Sequence, residues 1–191
     1  MRNVITGLVL LASLLAISTV QAACWSPAPA VSKISFKIDQ AGAPMKGTFT
    51  DYSGIICIDA KKPSADRIQV KISMTSVDTQ LPELTKALRG QDFFDVAQWP
   101  NATFISDTVH KTGPDQYEVD GKLTLRNVTR QIKVPFTLHR KVSDSPELTG
   151  QLTIKRLDYN IGLGQWKNTQ WVGNQVNISF NVSLKPEASK N

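Results

Sequence analysis

Cysteine and histidine are scarce: two of each in 191 residues. Cys24 and Cys57 form no Cys-x-x-Cys pair and have no histidine near them in sequence, so a zinc site or redox dithiol lacks its usual ligands. Gly-x-Ser-x-Gly, His-Glu-x-x-His, a phosphate-binding loop and a dinucleotide fingerprint are all missing, which removes the common scaffolds of hydrolysis and nucleotide-dependent catalysis. His110 and His139 sit on the polar phase of their strands, beside Val109 and Leu138, and read as solvated. Asp92 and Asp95 are close in sequence, but a helix cap and a surface acid explain them as well as an acid–base pair does. The positive surplus does not cluster either. Lys and Arg number 22 against 16 Asp and Glu, net +6, and the cations are interleaved with acids, so no basic stripe is offered to nucleic acid. These absences argue against an enzyme, and no motif calls for a cofactor or a metal.

Long hydrophobic runs are missing too. The longest apolar stretch, Val4 to Ile17, covers 14 positions, short of the roughly 18 that a membrane-spanning helix needs. With Arg2 before it and Val20-Gln21-Ala22 after it, this stretch reads as an export signal cut after Ala22. Residues 1–22 are then the signal, 23–191 form one domain of 169 residues with charge +5, and the compartment is the periplasm. A rival reading makes Cys24 a lipid-modified cysteine, but the residue three positions before it is Gln21, where an aliphatic one is usual. Export also favours a disulfide between Cys24 and Cys57. Closing 33 positions, it would restrict the unfolded chain by about 3.5–4 kcal/mol. A staple for the N-terminal segment is favoured over a redox or metal role, with Cys57 expected to point outward.

What remains is mostly alternation. Ile34, Phe36 and Ile38 alternate with polar residues; Lys46 to Asp59 is extended but bent at Gly47 and Gly54; Ile68 to Met74, Ala102 to Ser106 and Tyr117 to Leu125 follow. Ile132 to Leu138, Leu148 to Ile154 and Val176 to Leu184 complete about eight strands, each with one apolar and one polar face. Too little helix is present to cover so wide a sheet, so closure into an antiparallel barrel is the expected all-β fold. Gly47, Gly54, Gly121 and Gly150 are the expected corners. The inward set Phe36, Phe49, Ile56, Ile72, Phe104, Leu123, Phe136, Leu152 and Phe180 should line one continuous cavity.

Asp78 to Phe104 is the one long interval that does not read as strand. Pro82 opens a helix with a Leu81, Leu84, Leu88 stripe, and Gly90 closes it in the left-handed conformation. Asp92 should cap a second turn bearing Phe93, Phe94 and Val96. One or two short helices would then cover one barrel end, with Leu84, Leu88, Phe93 and Phe94 facing inward. A Gly-interrupted segment, Lys155 to Gly173, carries Arg156, Asp158, Tyr159, Trp166 and Trp171. Two readings stay open: a rim that meets a ligand headgroup, or a plug in which Arg156 and Asp158 form an ion pair.

Several of these runs resemble the YceI-like family of bacterial periplasmic proteins: Gly47-Thr48-Phe49 with Gly54, Ser76-Val77-Asp78-Thr79, Leu88-Arg89 with Asp92-Phe93-Phe94-Asp95 and Trp99-Pro100, Gly121 to Leu125 with Val128-Thr129, and Arg156 with Asp158-Tyr159 and Ile161-Gly162. The resemblance spans nearly the whole chain after Ala22. It implies a lipocalin-like barrel whose apolar tunnel binds a long-chain isoprenoid lipid, a quinone or a polyprenyl phosphate. It also implies transient contact with the inner membrane or a membrane cytochrome, and leaves the oligomeric state open, a homodimer included. Ala87 stands where many members have His, and Asn127 where many have Gly, so headgroup contacts do not carry over. The rival to a carrier is a barrel acting through its surface on a membrane electron-transfer or stress-response partner. An enzyme acting on isoprenoid lipids is third.

Overall fold

The structure is a computed structural model describing residues 24–59, 66–140 and 145–187; the expected export signal lies outside them. Its strands are β1 Cys24–Pro27, β2 Lys33–Gln40, β3 Ala43–Phe49, β4 Tyr52–Cys57, β5 Arg67–Ser73, β6 Val77–Asp78, β7 Asn101–Lys111, β8 Gln116–Leu125, β9 Val128–His139, β10 Glu147–Lys155 and β11 Val172–Pro186. The single α-helix among the described residues, α1, is Pro82–Arg89.

Eleven strands make eight staves. β11 pairs with β1 near its C-terminal end and with β2 along the rest, so β1 and β2 together form one stave, broken by the 3-10 turn Pro29–Val31. Likewise β4 pairs with β1 and β5, while β3 pairs with β2 and β6; β3 with β4, and β5 with β6, are two more broken staves. β7 to β10 complete the antiparallel ring between β5 and β11. Closure gives every stave a paired neighbour on both sides, with β9 and β10 joined only over 136–139 and 147–150, and leaves one face of each stave on a common interior. The expected barrel of about eight strands is therefore present. What alternation did not show is β1, too short for a pattern, which closes the ring and sets Cys24 directly opposite Cys57.

The turns follow local chemistry. Ala41-Gly42 and Arg126-Asn127 join β2 to β3 and β8 to β9 with positive φ at both positions, the geometry of a two-residue type I′ hairpin. Three of the four expected corner glycines have another function: an added Cβ would lie 2.4 Å from the Phe36 ring at Gly47, 2.6 Å from Phe104 at Gly121 and 2.3 Å from Phe180 at Gly150. Each glycine makes room for a neighbouring strand's phenylalanine to lie across its backbone. Gly121 also adjoins a bulge in β7 between Ser106 and Thr108, so there a corner is present as well.

At the covering stretch three expectations are corrected. Gly90 ends α1 with φ −73°, ψ 172°; it is extended, because the chain turns straight into the next loop. Phe93 and Phe94 ride on consecutive turns and not on a second helix. Leu81 is 61% exposed: as the cap residue it is extended, φ −120°, and so falls off the helical stripe. Cys57 is corrected too, since it is buried and disulfide-bonded to Cys24 across the β1–β4 pair.

Candidate ligand chambers

The inward faces of the staves do not fill the barrel. Two adjoining apolar chambers remain, about 110 Å³ at the α1 end and about 160 Å³ at the disulfide end. Ile34, Ile72, Leu123 and Ile178 line both and form the waist between them. Phe36, Phe49, Leu88, Phe93 and Phe94 line the upper chamber; Ile56, Phe104, Phe136, Leu152 and Phe180 line the lower one. The expected lining is thus spread over two adjoining chambers that share Ile34, Ile72, Leu123 and Ile178. Leu84 lines neither. It is half-buried, and its place over the chamber is taken by Leu88, one turn further on.

Tertiary packing adds lining residues that strand phase did not single out. Ile34 and Ile178 share their phase with Phe36 and Phe180, and that signal could have found them. Met74 continues the phase of Ile68, Val70 and Ile72, whereas Met45, Ile161 and Val172 lie outside the alternating runs read from the sequence. Tyr52, within the bent run Lys46 to Asp59, is buried and lines the lower chamber, because the chain breaks at Thr50-Asp51 and β4 restarts the alternation. Burial raises its phenol pKa, and nearby Ser32 acts weakly the other way, although the two hydroxyls do not meet in hydrogen-bond geometry.

The upper chamber is roofed by α1, the turns after it and the loop from Arg156 to Val172. Gly162 and Leu163 donate their backbone N–H groups to the Asp92 carbonyl, tying the two covers together. Phe93 packs on Trp166, centroids 5.6 Å apart, and Phe94 on Phe49 at 6.0 Å. Beneath the loop Arg156 is 1% exposed. Its Nε donates to the Gly173 carbonyl at 2.9 Å, Nη1 to Ile161 and Gly162 at 2.8 Å each, and Nη2 to Trp166 at 2.6 Å and Val172 at 2.7 Å. A guanidinium has five N–H donors, and all five are taken.

That arrangement changes the part Arg156 plays in both open readings of the segment. Arg156 has no donor free for a headgroup, and among the described residues it forms no ion pair; Asp158 is exposed and offers its main-chain carbonyl to Arg130. Five carbonyl dipoles stand in for a counter-ion, and burial lowers the guanidinium pKa. Tyr159 is buried with its phenol pushed up to about 12, by desolvation first and by the Asp158 charge second. Trp166 is packed inside the roof, whereas Trp171 stands 63% exposed on it. His110 and His139 lie on the outer wall, against Asp120 and Thr149. No group of three or more metal-binding side chains occurs among the described residues.

A family model described as YceI-like domain matches residues 25–184. The chain belongs to the YceI-like family. Protein YceI of Escherichia coli O157:H7 is 39% identical over 140 residues, covering 67% of this chain and 70% of that one. Among solved YceI-like folds, BcnA of Burkholderia cenocepacia is 31% identical with TM-score 0.79, covering 83% of this chain and 99% of its own. A domain of Saccharophagus degradans, described as polyisoprenoid binding, superposes with TM-score 0.70 at 19% identity over 87% of this chain and all of its own; at that identity the likeness is one of fold. The YceI-like match begins at β1 and ends in β11, so it takes in both chambers and their roof.

Proposed function

We propose that this YceI-like protein is a binding or carrier protein that holds a long isoprenoid lipid, of quinone or polyprenyl type, inside the barrel. The observation that carries the reading is the pair of adjoining chambers, apolar throughout apart from the engaged Arg156 and the Tyr52 ring. At about 24 cal/mol per Å³ of cavity, voids of about 110 and 160 Å³ cost a barrel with nothing in them about 2.6 and 3.8 kcal/mol. That is a large fraction of the stability of an ordinary domain. A flexible hydrocarbon chain threading the waist recovers it and gains about 0.8 kcal/mol for each CH₂-sized unit taken out of water. Affinity then comes from chain length, consistent with an interior that offers no free charged donor. The name polyisoprenoid binding given to the Saccharophagus degradans domain of the same fold supports the same ligand class here.

The reading is one of binding without a reaction, supported by chamber walls whose ionisable side chains are only the engaged Arg156 and Tyr52. The disulfide and the expected export signal support a periplasmic role, in which an isoprenoid in transit is shielded from water. Native mass spectrometry of protein purified under mild conditions, with solvent extraction of the same sample, tests the reading. The expected result is a co-purifying isoprenoid in one-to-one ratio. Protein that emerges free of lipid, and takes up no added polyprenol, overturns it.

A further inference from the structure

The join between β9 and β10 is incomplete. β8 pairs with β9 down to the hairpin, and β11 follows β10 along its whole length, but β9 and β10 meet only over 136–139 and 147–150. The ladder stops at Pro135. Its carbonyl faces β10, 2.5 Å from the point a Cβ on Gly150 would take, and its nitrogen, on the same side of an extended strand, has no proton to donate. Neither outer ladder shifts register beyond this point. Alternation therefore turns the N–H groups of Gln131 and Lys133, and of Thr153 and Lys155, toward the same gap, where no ladder bond meets them.

Outward side chains beside the gap turn away from it. Gln131 donates to Asp107 on β7, Lys133 pairs with Glu118 and Asp120 on β8, and Thr153 donates to Asn177 on β11. Bonds between the two sides occur at either end of the gap. His139 meets Thr149 at 3.1 Å within the paired part. At the α1 end Arg130 Nε donates to the Asp158 carbonyl at 3.3 Å, and Arg126 Nη1 to the Asn160 carbonyl. Residues 151–155 of β10, at about 3.3 Å each, make the slot about 16 Å long. Its inner lips are apolar: Ile132, Val134 and Leu152 line the lower chamber and Ile154 the upper. On the outer wall a groove of about 860 Å³ reaches the slot at Pro135, Gln151 and Thr153, and Leu152 lines both this groove and the lower chamber.

We propose that the β9–β10 slot is the side entrance of the barrel, through which the hydrocarbon chain of the ligand passes into both chambers, with Arg130 as the latch at its α1 end. This rests on the carrier reading and deepens it, because it fixes the route the ligand takes. Entry through the roof would disturb the Phe93–Trp166 contact and the bonds to the Asp92 carbonyl. Widening the slot breaks no ladder bond, since none spans it. A route, unlike a contact, changes the rates of uptake and release by one factor and leaves the equilibrium between them untouched.

The test uses the oxidised mature protein, whose two cysteines are joined, so that an introduced cysteine is the one thiol to label. Thr153→Cys, at the outer edge of the slot, is coupled to a polyethylene glycol maleimide, and uptake and release of a fluorescent polyprenol are followed by stopped flow. The adduct is expected to slow both by about tenfold or more and to leave the equilibrium affinity unchanged. The same adduct on Ile105→Cys, on the outer wall of β7, should change neither. Arg130→Ala, which removes the latch, should speed both by about threefold. Amide exchange should be fast at Lys133 and Thr153 and slow at Thr137 and Thr149. Unchanged rates in the labelled Thr153→Cys protein overturn the proposal. So does slowing by the adduct on Trp171→Cys with none at Thr153, since the passage then lies in the roof. Wild-type protein that takes up no polyprenol refutes the carrier reading itself, an outcome distinct from uptake that ignores the slot.

Discussion

Gly47→Ala puts one methyl group beneath the ring of Phe36. The new Cβ would lie 2.4 and 2.6 Å from two ring carbons and 3.2 Å from the Asp78 carbonyl oxygen, whereas carbon atoms in contact rest about 3.5–4.0 Å apart. The backbone contact is tight but tolerable, so the ring has to yield, by about 1 Å. Its free side is the upper chamber, whose volume of about 110 Å³ can take the displacement. Overpacking in a filled core costs about 1–3 kcal/mol. With a void to move into, the lipid-free variant should stay at the low end, about 1 kcal/mol, or a drop in melting temperature of about 2–4 °C. Ligand retention should suffer more. A ring pushed into the chamber that excludes two CH₂-sized units of lipid forfeits about 1.6 kcal/mol, more than tenfold in affinity. Thermal unfolding of delipidated protein and titration with a fluorescent polyprenol read the two effects separately. Phe36→Leu in the same chain should restore most of both, with a coupling energy measurable in a double-mutant cycle. If Gly47→Ala loses several kcal/mol of stability and binds the polyprenol unchanged, the upper chamber is not ligand space.

Arg156→Lys keeps the charge but offers three donors to five carbonyls, leaving at least two unsatisfied at about 1–3 kcal/mol each. Urea unfolding should show a loss of about 2–6 kcal/mol, and a loss near zero would mean that the clamp carries no stability. Tyr159 holds its proton more tightly in the folded state, with a pKa near 12 against an ordinary 10.0. Its contribution is therefore complete below about pH 10 and lost as pH rises from there toward about 12. Tyr159→Phe should flatten that part of a stability-versus-pH curve, and an unchanged curve would assign the alkaline loss to other groups. Reducing the Cys24–Cys57 bond, which spans 33 positions, should cost about 3.5–4 kcal/mol, seen as a lower melting temperature in dithiothreitol. Amide exchange should report fraying first in β1, and equal protection of β1 with and without reductant would argue against the disulfide as what holds that stave closed.

The alternation of apolar and polar residues determined, from the sequence by itself, that the chain is all-β and closed. Each of the eight staves shows one apolar face over at least part of its length, and such a sheet without a helical layer has to curl upon itself. Alternation also named most of the chamber lining, since phase alone decides which side chains face inward. It could not show β1, whose four residues are too few for a period, nor that Phe36, Phe104 and Phe180 would lie across glycines of neighbouring strands, since register is a property of pairs. Arg156 was legible as unusual but not as a clamp. Its five partners are carbonyls, which every residue possesses and no sequence displays, and the folding of the loop alone brings them to one point. Whether the barrel would be solid or hollow was likewise a tertiary decision. Inward residues of the same type can interdigitate or stand apart, and the difference is set by barrel radius and strand tilt, which arise from the pairing of all eight staves at once.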